Sequence, residues 1–342
     1  MSRKLITIST IMTLMSTSVI ADVPNVAADI APIHSLVSRV MDGVGAPKLI
    51  VQSGASPHGY RLRPSEAKAL QDADHVFWMG EELTPWLDSA IDTLATKASV
   101  TTLLDQEGII LHDFREGALF EAHDHSAHGD DDHDDHDDHD DHKDHDDHDD
   151  HDDHDDHKDH DDHDDHDDHD DHGSHDPHAW LSPENAKLWL NIIASKLSVS
   201  DPENAATYFM NAAAGQAEIE AMIAEVKATL KPVQGGKFVV FHDAYQYFEN
   251  DFDFYASGAI SLGDSSDPSP ARIEKVQKRI RDEGIQCVLA EPQFKKGLVA
   301  TVMEGSDATA SVIDPLGAEL ETGPKLYTRL IKNMAKTLRN CL

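Results

Sequence analysis

Apolar residues along this chain follow two alternating rhythms. Short, mainly apolar runs at 48–51, 76–79, 238–241, 287–290 and 311–313 read as strands buried on both faces, the pattern of a parallel sheet. Helical spacing separates them. Ser182-Pro183-Glu184 supplies an N-cap and a proline at the first helical position, and Ala186, Leu190, Ile193, Ala194 and Leu197 then line one face. Asp201-Pro202-Glu203 opens a second helix in which Ala205, Phe209, Ala212, Gln216, Ile219, Ile223, Val226 and Leu230 recur at steps of four and three. Unbroken, it would run for about 30 residues and about 45 Å. Gly215 also admits two shorter helices, since glycine in a helix interior costs about 1 kcal/mol.

This alternation predicts an α/β protein of two parallel-sheet lobes joined by a long rigid helix. The N-terminal lobe is placed at 22–199, the linking helix at 200–232 and the C-terminal lobe at 233–342. A chain of 342 residues is long enough for two such units. The first 21 residues do not belong to the pattern. Arg3 and Lys4, the apolar stretch from Leu5 to Met15 and the small-residue end Val19-Ile20-Ala21 have the form of a signal peptide cut before Asp22. No cysteine follows the cut to carry a lipid, so an exported, soluble, periplasmic protein is expected.

Export changes the reading of Cys287 and Cys341, the only cysteines. In an oxidising compartment two such residues are expected to form a disulfide, with two buried thiols as the alternative.

Charge changes the picture in one place. The formal net charge is −37, but residues 123–172 alone hold 28 of the 65 acidic residues, with Lys143 and Lys158 as the opposing charges. The same stretch holds 17 histidines, mostly at every third position. Aspartate is a poor helix former and repels itself at helical spacing, and the tract has almost nothing apolar to bury, so an insertion disordered without metal is expected in the first lobe. Many interchangeable imidazoles on a flexible chain give several weak, labile sites for borderline divalent ions. Such a tract suits scavenging, although a merely solubilising linker is the plainer alternative. Elsewhere no basic stripe exists to meet phosphates, which argues against nucleic acid.

A stronger site would sit at the carboxyl ends of parallel strands, where open α/β sheets bind ligands. Four candidates lie there. His58 is in the polar loop after the 48–51 run, His178 directly precedes the capped helix, His242 ends Phe238-Val239-Val240-Phe241, and Asp314 follows Val312-Ile313. Each has an ordinary structural reading as well; for Asp314 it is an Asx turn before Pro315. Three imidazoles with a carboxylate or water suit tetrahedral Zn²⁺.

The stretches carrying these residues are SPHGYRLRPSEAKALQDADHVFWMG at 56–80, DPHAWLSPENA at 176–186, FHDAYQYF at 241–248, AEPQF at 290–294 and IDPLG at 313–317. Together they resemble the metal-specific solute-binding proteins of ABC transporters, and within them the periplasmic zinc-uptake proteins of ZnuA type. The resemblance covers nearly all of the chain after the leader. It implies a metal site in the cleft between the lobes, with His58, His178 and His242 as the zinc-binding histidines and a membrane ABC permease as the partner. The third histidine, where manganese-binding relatives carry a carboxylate, implies zinc. So do the paired cysteines and the His/Asp-rich insertion. Pro57 stands where some zinc-binding members have a glutamate, leaving the fourth ligand open between Asp314 and water. A monomer is expected.

Other residues carry less. His34 could line the cleft. His75 begins an apolar run and reads as structural. Glu291 could orient His242 or simply enter a helix. Two other functions remain open on the sequence. One is zinc storage, with the tract as the principal site. The other is a zinc hydrolase, against which stands the lack of an HExxH motif or a nucleophile elbow.

Overall fold

The computed structural model describes residues 23–115, 120, 175–261, 268–294 and 296–342. The expected leader at 1–21 and the His/Asp-rich tract at 123–172 lie outside these residues. The first half of the chain gives β1 (Val26–Ala28), α1 (Ala31–Val40), β2 (Lys48–Leu49), α2 (Pro64–Asp72), β3 (His75–Trp78), α3 (Pro85–Leu94) and β4 (Ser99–Thr102). Two helices follow, α4 (Pro183–Ser200) and α5 (Ala205–Leu230). The remainder is β5 (Phe238–His242), α6 (Gln246–Phe252), β6 (Ala259–Ser261), α7 (Pro270–Glu283), β7 (Cys287–Ala290), α8 (Lys296–Met303), β8 (Thr309–Val312) and α9 (Leu326–Cys341).

The strands form two parallel four-stranded sheets with one topology, β2-β1-β3-β4 and β6-β5-β7-β8. This is the α/β architecture that the apolar runs predict. Side chains of a strand point alternately to its two faces, and the burial follows. Phe238 and Val240 of β5 face a large core shared with α1, α4, α5 and α9, while Val239 and Phe241 face a smaller cluster with Val276 and Ile280 of α7. In the first sheet, Val76 and Trp78 pack with Leu70, Leu87 and Ile91 of α2 and α3 on the outer face, and Phe77 turns to the shared core. Strands β1, β4 and β6 carried no readable signal. They are three or four residues long, and the β4 sequence Ser-Val-Thr-Thr is mostly polar.

The linking helix is continuous through Gly215, with a single 3₁₀ turn at each end, Pro202–Asn204 and Lys231–Val233. That excludes two shorter helices. The glycine is there for close approach, because a Cβ at this position would come within 2.9 Å of Leu190 on α4 and 3.1 Å of Arg39 on α1. Of the stripe read off the sequence, Ala212, Ile219, Val226 and Leu230 are buried, while Tyr208, Gly215 and Met222 are buried in place of Phe209, Gln216 and Ile223. Tyr208 is buried and donates its hydroxyl hydrogen to Asp201 Oδ2 at 2.7 Å, whereas Phe209 is 48% exposed. An anchoring hydrogen bond at the first turn outweighs the apolar count there. The start of α4 is as expected, with Ser182 Oγ accepting from Asn185 N at 3.3 Å.

The last helix, α9, packs against α1 and α5 rather than against the second sheet alone. Ser35 Oγ accepts from Tyr327 N at 3.0 Å and donates to Gly323 O at 2.7 Å. At its far end Cys341 is bonded to Cys287 at the start of β7, so the two cysteines are paired and the free-thiol alternative is excluded. Among the described residues no helix is long and apolar enough to cross a membrane.

Where the order of a parallel sheet reverses direction, strand tips splay and leave a crevice. In the first sheet that point, between β1 and β3, is filled by Asp29. Its carboxylate, wholly buried, accepts from Ile30 N and Met79 N, each at 2.7 Å. Burial pushes this carboxyl from 3.8 up to about 7 despite those donors. The folded chain therefore holds a proton that the unfolded chain releases near 3.8, and the stability it contributes is lost as pH rises through about 7. In urea titrations of the metal-free protein between pH 4 and 7, the Asp29→Asn variant should lose a downward component of up to about 1.4 kcal/mol per pH unit. Parallel profiles for the two proteins would refute this assignment.

Candidate metal centre

The corresponding point of the second sheet, between β5 and β7, carries buried polar side chains. The five buried residues of β5 end in His242, and Glu291 immediately follows the neighbouring strand β7. Their adjacency is a consequence of strand pairing. Glu291 Oε1 lies 2.5 Å from His242 Nδ1, and Glu291 Oε2 accepts from Gln293 Nε2 at 2.9 Å. Glu291 thus orients His242 rather than merely entering a helix. This fixes the imidazole with its hydrogen on Nδ1 and its Nε2 lone pair directed away from the sheet.

His178 reaches the same place by a different route. Pro177 stiffens the approach, and His178 caps the 3₁₀ turn Ala179–Leu181. One oxygen of Asp176 accepts from the His178 amide at 3.0 Å and lies 2.6 Å from His178 Nδ1. Asp176 is itself held, its amide donating to His112 O at 2.7 Å and its carbonyl accepting from the Tyr247 hydroxyl at 2.7 Å. The result is a second imidazole backed by a carboxylate, with Nε2 left facing the first. The two Nε2 atoms are 3.4 Å apart. Tetrahedral bonds of about 2.0 to 2.1 Å to one zinc ion place two nitrogens about 3.3 Å apart.

His58 completes the group from the loop after β2. Its ring centroid is 5.5 Å from that of His178, and one ligand atom from each of the three histidines lies within 4.8 Å of the others. It is half-buried where the other two are buried. The loop is held on either side of it: Pro57 O accepts from Trp86 Nε1 at 2.7 Å, and the Tyr60 hydroxyl donates to Glu66 at 2.7 Å. The closure that a common ion requires beyond the 3.4 Å pair therefore falls to His58. Trp180 and Phe294 pack against the rings of His178 and His242 respectively, which makes the surroundings apolar and strengthens charge interactions within.

Asp314 is not in this group among the described residues. Its Oδ1 accepts from Leu316 N at 3.0 Å and Gly317 N at 2.8 Å, and Oδ2 accepts from Ala318 N at 2.6 Å. Its side chain shapes the Asx-type turn that was its plainer reading. That turn still serves the site, for Pro315 O accepts from Trp180 Nε1 at 2.8 Å, bracing the turn after His178. His34 does not reach the group. Its Nε2 is 3.1 Å from Pro47 O and its Nδ1 3.4 Å from Ser38 Oγ, so it ties α1 to the following loop. His75 is likewise structural, its Nε2 2.7 Å from Ser200 Oγ.

The sequence reading overlooked Asp176, whose spacing of two from His178 across a proline was the available signal. It also overlooked Asp243 and Arg115, which form a buried ion pair directly behind His242. That pair spans 128 positions, and no local pattern announces it.

Residues 26–341 match a family model described as zinc-uptake complex component A, periplasmic (ZnuA). The chain is 49% identical over 317 residues to the high-affinity zinc uptake system protein ZnuA of Brucella abortus strain 2308, covering 93% of this chain and 91% of that one. It is 45% identical over 323 residues to the protein of that name from Paracoccus denitrificans, covering 94% and 93%. Among solved structures, a crystal structure of ZnuA has a TM-score of 0.68 at 19% identity over 93% of this chain and 99% of that one. A ZnuA deletion mutant with zinc bound also scores 0.68 at 19% identity, over 94% and 98%. The manganese-bound solute-binding protein FpvC of Pseudomonas aeruginosa scores 0.66 at 17% identity, over 93% and 97%. At these identities the structural likenesses speak for the fold.

Proposed function

Because the chain belongs to the ZnuA family of periplasmic zinc-uptake components, we propose that it is a periplasmic receptor that binds Zn²⁺ through His58, His178 and His242 and delivers it to an ABC permease for import. The observation that carries this reading is the pair of buried imidazole nitrogens 3.4 Å apart, each with a carboxylate on its other nitrogen. A carboxylate behind a ligating histidine fixes its tautomer and raises its basicity. Water takes the fourth position in this reading, since the oxygens of Asp314 already accept three backbone amides. Zinc is cargo here, and the protein a monomeric carrier rather than an enzyme.

The His/Asp-rich tract at 123–172 acts in this reading as a low-affinity collector that raises the local supply of ions. This fits a site whose three histidines all lie outside the tract, and the ZnuA deletion mutant whose structure has zinc bound. Release proceeds through the loop of His58 rather than wide hinge opening, because one continuous core joins both sheets to α1, α4, α5 and α9.

Calorimetric titration separates this from a storage protein whose tract is the main site. Removing 123–172 should leave one strong zinc site and abolish only the weak additional stoichiometry. Loss of the strong site on that deletion would overturn the receptor reading in favour of storage.

A further inference from the structure

Arg115 lies on the segment that precedes the His/Asp-rich tract in sequence, yet its guanidinium is buried against the other half of the molecule. It is ion-paired to Asp243 and to Glu249, with side-chain exposures of 12%, 7% and 1% respectively. Its Nε donates to Asp243 Oδ1 and Oδ2 at 3.1 and 3.0 Å, and its Nη1 donates to Glu249 Oε2 at 2.6 Å. Above it, the Phe120 ring centroid is 3.6 Å from the guanidinium carbon, so one face of the cation meets an aromatic rather than water.

Both ends of this clamp lead to the histidines. Asp243 is the residue after His242. Arg115 itself sits two residues beyond Asp113, which forms an antiparallel bridge with His175, and three beyond His112, whose carbonyl accepts from the Asp176 amide. Asp176 in turn sets the ring of His178. One side chain thus fastens the strand-end that carries His242 to the segment that carries His178. A planar guanidinium is suited to this because its donors form a rigid fork that engages a carboxylate on a fixed line, which an ammonium does not.

We infer that Arg115 is a positioning residue of the metal site, setting the separation of the His178 and His242 nitrogens through Asp243 and Glu249. It touches no ion. The inference rests on the reading that these histidines bind zinc, and it goes further in assigning part of the affinity to a residue outside the ligand set and outside the carboxylates behind it.

The test uses the full-length secreted chain, with zinc affinity measured by competition against a chromogenic chelator and Co²⁺ absorption as a report of site geometry. Arg115→Lys keeps the charge and loses the fork. Arg115→Gln with Glu249→Gln removes the cation together with one buried anion, so that it folds even where Arg115→Gln alone does not. Both should bind zinc about tenfold or more weakly, in the range seen when supporting residues of metal sites are lost, with one strong site retained and an altered cobalt band. If both bind zinc and cobalt as the parent does, even with a lowered metal-free melting temperature, Arg115 is a structural strut and the inference is wrong. His242→Ala serves as the reference. Parent-like zinc affinity in that variant would instead overturn the zinc-site reading itself.

Discussion

Zinc affinity should fall by roughly a hundredfold to a thousandfold when His178 or His242 is replaced by alanine. Structural zinc sites contribute about 10 to 16 kcal/mol of apparent binding free energy at neutral pH. Shared among three or four ligands, one imidazole accounts for about 3 to 4 kcal/mol, and each 1.4 kcal/mol is a factor of ten. For these two residues the loss should lie at the upper end, because each is buried and its imidazole is set by a carboxylate, Asp176 in one case and Glu291 in the other. His58, half-buried and on a loop, should cost less. Chelator competition on the chain lacking 123–172 reads the strong site without interference from the tract. If either buried histidine can be removed with less than a fivefold change, the ion is held elsewhere.

Removing the disulfide should lower stability by about 4 kcal/mol. Cys287 and Cys341 are 54 positions apart, and the entropy withheld from an unfolded loop of that length sets the figure. The substitution to test is Cys287→Ala with Cys341→Ala, because serine would bury a hydroxyl at the fully buried position 287. The expected readout is a melting temperature lower by roughly 8 °C, with zinc affinity close to the parent's. The second half of that expectation follows from geometry. Cys287 begins β7 while Glu291 follows its last residue, so the crosslink and the site are a strand's length apart. A loss below about 1 kcal/mol would mean that the seat of α9 on α1 and α5 suffices without the bond.

The legible parts of this molecule were those in which one physical requirement dominates a short stretch. A parallel strand buried on both faces must be apolar throughout, so β3, β5 and β7 were visible. A histidine directly after such a run can only lie at the strand tip, so His242 was visible too. The short strands β1, β4 and β6 were not, because three residues such as Val-Ala-Ala fix no pattern. Asp314 illustrates a local ambiguity, since an aspartate before proline satisfies a ligand and a turn equally well on paper, and in the structure its oxygens accept backbone amides of the turn. Phe209 and Tyr208 show the reverse case, in which apolarity pointed one way and a hydrogen bond to Asp201 the other. Arg115 was beyond reach for a different reason. Its carboxylate partners lie 128 and 134 positions distant.

The three imidazoles stand beyond or at the tips of strands, one on a loop, one on a 3₁₀ turn and one at a last strand residue. Two of them, His58 and His178, therefore lie outside the hydrogen-bond ladders that hold the sheets, while His242 closes the β5–β6 pairing opposite Ser261. On the proposed reading, an ion would come and go on the side built from loop and turn, so that repeated loading would leave the pairing of the strands intact.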